Sequence, residues 1–316
     1  MKKIAALLLI FLCGVTFSQN EIEIQKTIRA YPTINSSQEL LQAIKRDFKS
    51  DFIRVKALYT WITLNITYEY ASSFTIQAPE QIVYFNEEDL ARRIKMNNDK
   101  LVEKTIKTKR GVCKHMALTL QKLCDLLGLE NELIKGYVRN APEDIGITPK
   151  YKNHVWNAVK IYNRWVLIDA TYGIDYDKKK YRQACSYTYF DTPIDKLSLT
   201  HYPSDPKWIQ FLEQIPMKRF SEYPMFWNTF LSTEAELISP KIGKLISHKN
   251  IIFLTFKDLD DTTKITYKFE GDTYAKKPKI RHVDTFTNIA INSTKKGILT
   301  VYFDDESALA FRVVEE

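Results

Sequence analysis

The chain has 316 residues, 45% of them hydrophobic and 27% charged, with 9 Gly and 11 Pro. That composition excludes a disordered or low-complexity polypeptide and suits a globular one, with length for two domains. The formal net charge of +8 comes from scattered lysines (Lys104, Lys107, Lys109, then Lys178 to Lys180). Without a basic stripe interleaved with aromatics, a solvated surface is expected, and nucleic acid is not expected as a partner.

The first residues read as a secretory leader. Lys2-Lys3 precede an apolar run from Ile4 to Phe17, and Thr16-Phe17-Ser18 offers small residues at the two positions a signal peptidase reads. A signal peptide over residues 1–18 predicts export to the periplasm or the cell exterior, and loss of Lys2 and Lys3 lowers the formal charge from +8 to +6. Leu12 stands before Cys13 where a lipobox needs a small residue, which argues against a lipid anchor. No later stretch is long and apolar enough to span a bilayer, so no transmembrane segment is expected after the leader.

Glu21 to Tyr31 is expected as a short strand or coil closed by Pro32. Ser36-Ser37-Gln38-Glu39 makes a capping box for a first helix with Leu40, Leu41, Ile44 and Phe48 on one face. A second helix follows from Asp51 to Leu64, then a turn into a short strand at Asn65 to Tyr68, then a polar helical stretch from Asn86 to Thr108. From Val112 the spacing of Met116, Leu120, Leu123 and Leu127, stopped by Gly128, predicts an amphipathic helix whose first turn carries Cys113. Unpaired N–H groups at a helix start favour negative charge, the setting in which cysteines act as nucleophiles.

Beyond Gly128 the period changes to two. Strands are expected at Glu132–Val138, His154–Ile161 and Trp165–Thr171, with a loop over Ala141–Lys152 and a turn at Tyr162-Asn163. Together with the Cys113 helix laid on an antiparallel sheet, they give an α+β arrangement. Four short strands, at 251–256, 265–269, 298–303 and 308–314, predict an all-β, sandwich-like C-terminal domain from Ser232 to Glu316, after a catalytic region over residues 19–231.

Three cysteines remain after the leader, Cys113, Cys124 and Cys185. Cys113 and Cys124 lie on one helix about 16 Å apart by the helical rise, too far for a disulfide. No pair has metal-ligand spacing, so neither a metal nor another cofactor is expected. A turn centred on Tyr162-Asn163 sets Trp156 opposite Asp169, which puts Asp169 and His154 on one face as diagonal neighbours. Nucleophile, base and orienting acid in that relation form a triad of Cys113, His154 and Asp169. His115, about 200° around the helix axis from Cys113, is the poorer base.

At these residues the sequence resembles a known family. Gly111-Val112-Cys113, Asn153-His154-Val155-Trp156-Asn157 and Trp165-Val166-Leu167-Ile168-Asp169-Ala170-Thr171 are similar to the three motifs of the transglutaminase-like superfamily, whose fold is papain-like. Thr200-His201-Tyr202-Pro203 through Trp208 resembles a tail of the branch related to the kyphoscoliosis peptidase and cytokinesis-associated members. The resemblance implies Cys113 as nucleophile, His154 as general base and acid, Asp169 as orienter and the Cys113 backbone N–H as an oxyanion donor. Trp156, His115 and Tyr172 are the expected residues near the site. No acidic loop resembles the calcium sites of animal transglutaminases. The implied activity is acyl transfer from an amide through a thioester, to water (peptidase or amidase) or to an amine (transglutaminase), on a protein or peptide substrate. The rival reading is a non-catalytic secreted binding or scaffold module that keeps the fold and attaches to a protein partner through the C-terminal β domain.

Overall fold

A computed structural model describes residues 21–70, 82–213, 215–246, 250–293 and 295–314. The expected leader lies outside the described residues. Two compact units emerge, the first through Ile134 with Val155–Thr192, the second Lys135–His154 with Pro193–Glu316.

The first unit opens with helix α1 at residues 21–29, where a strand or coil was expected. The signal lies in Ile24 and Ile28, one helical turn apart and both buried. Helices α2 (Ser37–Asp47) and α3 (Asp51–Asn65) begin where expected, with the Ser36 and Ser50 hydroxyls accepting from the backbone N–H groups of Glu39 and Ile53. Glu39 closes its side of the box one residue early, accepting from the Asn35 N–H at 2.8 Å. Every residue of α3 from Val55 to Thr63 is buried, so this helix is the centre of the unit rather than a surface helix with one apolar stripe.

Strand β1 (Thr67–Tyr68) pairs in parallel with β2 (Arg110–Gly111), and helix α4 (Glu87–Thr108), capped by Asn86, connects the two across the segment between. At the end of α4, Lys109 takes a left-handed conformation (φ 58°), its ammonium donating to the Ile34 and Ile106 carbonyls and lying 4.5 Å from the Trp61 ring centre. The chain then enters α5 (Cys113–Leu126). Gly111 has a steric reason: a Cβ there would lie 2.6 Å from the Cβ of His115. Met116, Leu120, Leu123 and Cys124 of α5 join one buried cluster with Leu58, Trp61 and Ile62 of α3.

The antiparallel part is built from β3 (Asn131–Val138), β4 (His154–Ile161) and β5 (Arg164–Ile168) with β8 (His201–Pro203), in the order β5-β4-β3-β8. The β4–β5 turn has positive φ at both Tyr162 (50°) and Asn163 (61°), the backbone of a two-residue hairpin loop whose twist suits its strands. Asn157 pairs with Ile168 and Val159 with Val166, the expected register. Strand β5 stops at Ile168, shorter than expected, because the next residues fold into a turn around Asp169. A hairpin of β6 (Ile174–Asp177) and β7 (Arg182–Cys185) then returns to α3, where the Gln183 amide donates to the Thr63 and Ile66 carbonyls at its C-terminal end.

The second unit contains the end of β3 paired with β8 (Gly136 with Pro203, Tyr137 with Tyr202, Val138 with His201) and a C-terminal β region of two sheets. One has the order β10-β12-β15-β14 (Glu236–Ser239, Ile251–Lys257, Phe286–Asn292, Lys279–Val283), the other β11-β17-β16-β13 (Lys244–Ile246, Glu306–Val314, Gly297–Phe303, Ile265–Phe269). Phe256 of the first sheet and Phe303 of the second meet edge to face with ring centres 5.8 Å apart, the interior of a sandwich. The four expected strands are all present; β10, β11, β14 and β15 were not expected. Strand β14 is exposed along its whole length and has no apolar alternation to reveal it. A short strand β9 (Met225–Phe226) pairs with β17 through Leu309 and Ala310, so strand pairing begins upstream of Ser232. Helix α6 (Asn228–Leu231) places Phe230 against Phe226, Phe256 and Phe303.

Phe230 is therefore expected to tie this segment to both sheets: Phe230→Ala should lower unfolding stability by about 3–5 kcal/mol, the usual loss for a buried aromatic. Guanidinium denaturation followed by near-UV circular dichroism checks it.

Candidate active site

Cys113 is the first residue of α5, behind an N-cap Val112 that has no side-chain oxygen to offer. The cap is supplied from inside the helix, because His115 Nδ1 accepts the Val112 N–H at 3.2 Å. Only an unprotonated ring nitrogen accepts, and burial holds the His115 pKa below its ordinary value, with Lys114 and Lys104 adding to the shift against the pull of Glu69. His115 thus shapes the helix start rather than acting as a base. Among the described residues the three thiols are all free. Cys113 is part-exposed, whereas Cys124 and Cys185 are buried. Burial pushes the Cys185 thiol up to about 12 and raises that of Cys124 further.

Around Cys113 the first unit gathers phenols and one acid. Burial, with Cys113, Tyr70 and Asp169 nearby, pushes the Tyr68 hydroxyl up to about 12, and the Cys113 backbone N–H facing it offsets part of that rise. Tyr172 is held well above its usual value by burial and then by Tyr189, Asp169, Tyr68 and Cys113. Both phenols stay neutral at physiological pH, as hydrogen-bonding groups rather than proton acceptors. Asp169 is 2% exposed. Its Oδ1 accepts from the Thr171 N–H at 2.8 Å and the Tyr172 N–H at 3.1 Å, and its own N–H donates to the Tyr189 carbonyl at 2.9 Å. A short acid gripped by two backbone donors in this way has a fixed orientation.

Asn157 of β4 plays a part that no local pattern in the sequence reveals. It is 1% exposed, and its amide donates to the Ala117 carbonyl at 3.0 Å, which ties β4 to the second turn of the cysteine helix. The β4–β5 pairing ends at Asn157 with Ile168, the residues next to Trp156 and Asp169. His154, two residues along β4 from Trp156, faces the same side by the period of the strand. Trp156 itself is 1% exposed, a wall of the core.

In the second unit, His154 is 8% exposed, and its ring packs against that of His201, with ring centres 5.5 Å apart at 61°. Asn153, the residue before it, clasps the backbone of Val138 at both groups: Oδ1 accepts the Val138 N–H at 2.9 Å and Nδ2 donates to the Val138 carbonyl at 2.8 Å.

A cysteine-bearing helix packed with an antiparallel hairpin that carries histidine and aspartate defines a transglutaminase-like core, here followed by a β-rich region. Residues 38–170 match the Transglutaminase-like superfamily. Human kyphoscoliosis peptidase is 25% identical over 174 residues, 54% of this chain and 23% of that protein. Cytokinesis protein 3 of Schizosaccharomyces pombe is 25% identical over 194 residues, 58% of this chain and 22% of that protein. The chain therefore spans less than a quarter of the length of these relatives. Among solved structures, a putative cysteine protease from Cytophaga hutchinsonii is 21% identical, covering 47% of this chain and 42% of that one with a TM-score of 0.27.

The His115 cap predicts a pH dependence. A histidine whose folded pKa lies below its unfolded value contributes stability that is fully present above about 6.5, the unfolded value, and is lost as pH falls toward the folded one. Stability is expected to drop from pH 7.5 to pH 5.5 in the native chain and to drop less in His115→Gln, whose side chain accepts the same N–H without titrating. Urea denaturation at the two pH values measures the difference.

Proposed function

We propose that this protein is a cysteine-dependent acyl-transfer enzyme in which Cys113 is the nucleophile, His154 the general base and acid, and Asp169 the orienting carboxylate. The reading is supported most by the β4–β5 register, which agrees with a shared face for His154 and Asp169, and by the two backbone donors that lock that aspartate. Cys113 stands at a helix start in the same cluster of tyrosines as that aspartate.

The chemistry then runs in two halves. His154 takes the Cys113 proton, the sulfur adds to an amide carbonyl of a protein or peptide, and the oxyanion is stabilised by the Cys113 N–H at the head of α5. His154 returns the proton to the departing amine, which leaves a thioester. Water or a second amine, deprotonated by His154, adds to the thioester carbonyl, and Cys113 departs with the proton. The Asp169 carboxylate holds the imidazole in one tautomer and stabilises the imidazolium formed in each half. Tyr172, neutral and beside Asp169, and the Cys113-facing Tyr68 line this region as hydrogen-bonding groups.

Two measurements test the proposal. At pH 6 to 7, iodoacetamide is expected to label Cys113 far faster than Cys124 or Cys185, and His154→Ala is expected to slow that labelling in a folded protein. Equal rates at all three thiols would overturn the nucleophile assignment. The native chain is also expected to release ammonia or new amines from glutamine-containing or other peptides, with Cys113→Ser losing almost all of it. Ammonia release with incorporation of added amine identifies a transglutaminase, cleaved backbone a peptidase, ammonia alone an amidase. If native and Cys113→Ser proteins are equally inert yet bind one partner equally well, the protein is a scaffold.

A further inference from the structure

His201 begins β8, is fully buried, and has no part in the triad just described. The hydrogen bonds around it fix its ring. Thr200 Oγ1 lies 2.8 Å from His201 Nδ1, and 3.3 Å from the Leu197 carbonyl. That short hydrogen bond holds the His201 ring in one rotamer. Across it lies the His154 ring at 5.5 Å and 61°, an edge-on packing.

The backbone beneath makes this packing a matter of register. Val138 turns its N–H and carbonyl to the Asn153 side chain, so its pairing with His201 in β8 is of the non-hydrogen-bonded kind, in which side chains stand closest. One residue of β3 thus anchors both the residue that precedes His154 and the strand position that carries His201. A histidine with 8% exposure gains its orientation from what packs on it, and here one ring on it is itself tethered.

We propose that His201 is a positioning residue: tethered by Thr200, its ring sets the plane of the His154 imidazole for proton transfer. The role rests on His154 being the base of the proposed reaction.

The test uses the full chain with 15N-labelled histidine, reading the His154 ring-nitrogen signals and, separately, the rate of Cys113 alkylation. His201→Ala is expected to shift the His154 signals and to slow alkylation by about 10-fold or more, the scale of loss when a reacting group is misplaced. His201→Phe restores a packed ring and is expected to recover most of both, and Thr200→Val, which only frees the His201 ring, is expected to move both in the direction of His201→Ala. A folded His201→Ala with native His154 signals and a native rate overturns the proposal, as does a His201→Phe that recovers neither. Should His201→Ala fail to fold, unchanged His154 signals in Thr200→Val overturn it. If native Cys113 reacts no faster than in His154→Ala, the reading of His154 as the base fails instead, and the nitrogen signals alone decide whether His201 positions His154.

Discussion

The register of the β4–β5 hairpin is the constraint on which the candidate site depends. Side chains alternate faces along a strand, so a slip of one residue in the pairing of Asn157 with Ile168 would turn His154 and Asp169 to opposite sides. Two features hold that register. The turn residues Tyr162 and Asn163 both adopt positive φ, which limits the loop to two residues. On one strand face, Val159, Ile161 and Val166 are buried in the main cluster of the first unit, and a slipped strand would expose them.

That cluster also explains why the cysteine helix stands where it does. Helix α3, buried on nearly all sides, supplies Leu58, Trp61 and Ile62 to the face that receives Met116, Leu120 and Leu123 of α5. Each fully buried side chain of this size contributes about 1.5–3 kcal/mol, so the helix position is set by apolar packing along its length. Its first turn is left to local polar contacts: the His115 cap, the absence of a side chain at Gly111 and the Tyr68 hydroxyl facing Cys113. Strong packing behind and adjustable polar contacts in front is a workable division for a nucleophile, which needs a fixed backbone and an open sulfur.

Burial separates the three thiols. Cys124 sits on the same helix as Cys113 but inside the core, and Cys185 is enclosed beside α3, so both are held as protonated thiols at neutral pH. Of these three, Cys113 is the part-exposed thiol. In the second unit the Asn153 side chain takes the place of a neighbouring strand as the partner of Val138.

Much of this was legible in the chain itself, because local patterns carried it. The cap at Ser36, the apolar spacing after Cys113, the stop at Gly128 and the alternation in β4 each express a preference of a few neighbouring residues. The turn at Tyr162-Asn163 fixes the register that pairs Asn157 with Ile168. What the sequence could not supply depended on partners distant in the chain. Residues 21–29 are helical because Ile24 and Ile28 find a core to enter, and β14 is a strand only because β15 lies beside it. Asn157 becomes a clamp only once Ala117 is brought next to it, and His115 becomes a cap only when the chain turns at Gly111. His201 looked like part of a tail motif until pairing with Val138 set its ring against His154. Short-range spacing determined which residues are candidates for the chemistry, while their orientation was decided by tertiary contacts, since a side chain's direction is fixed by what packs on it.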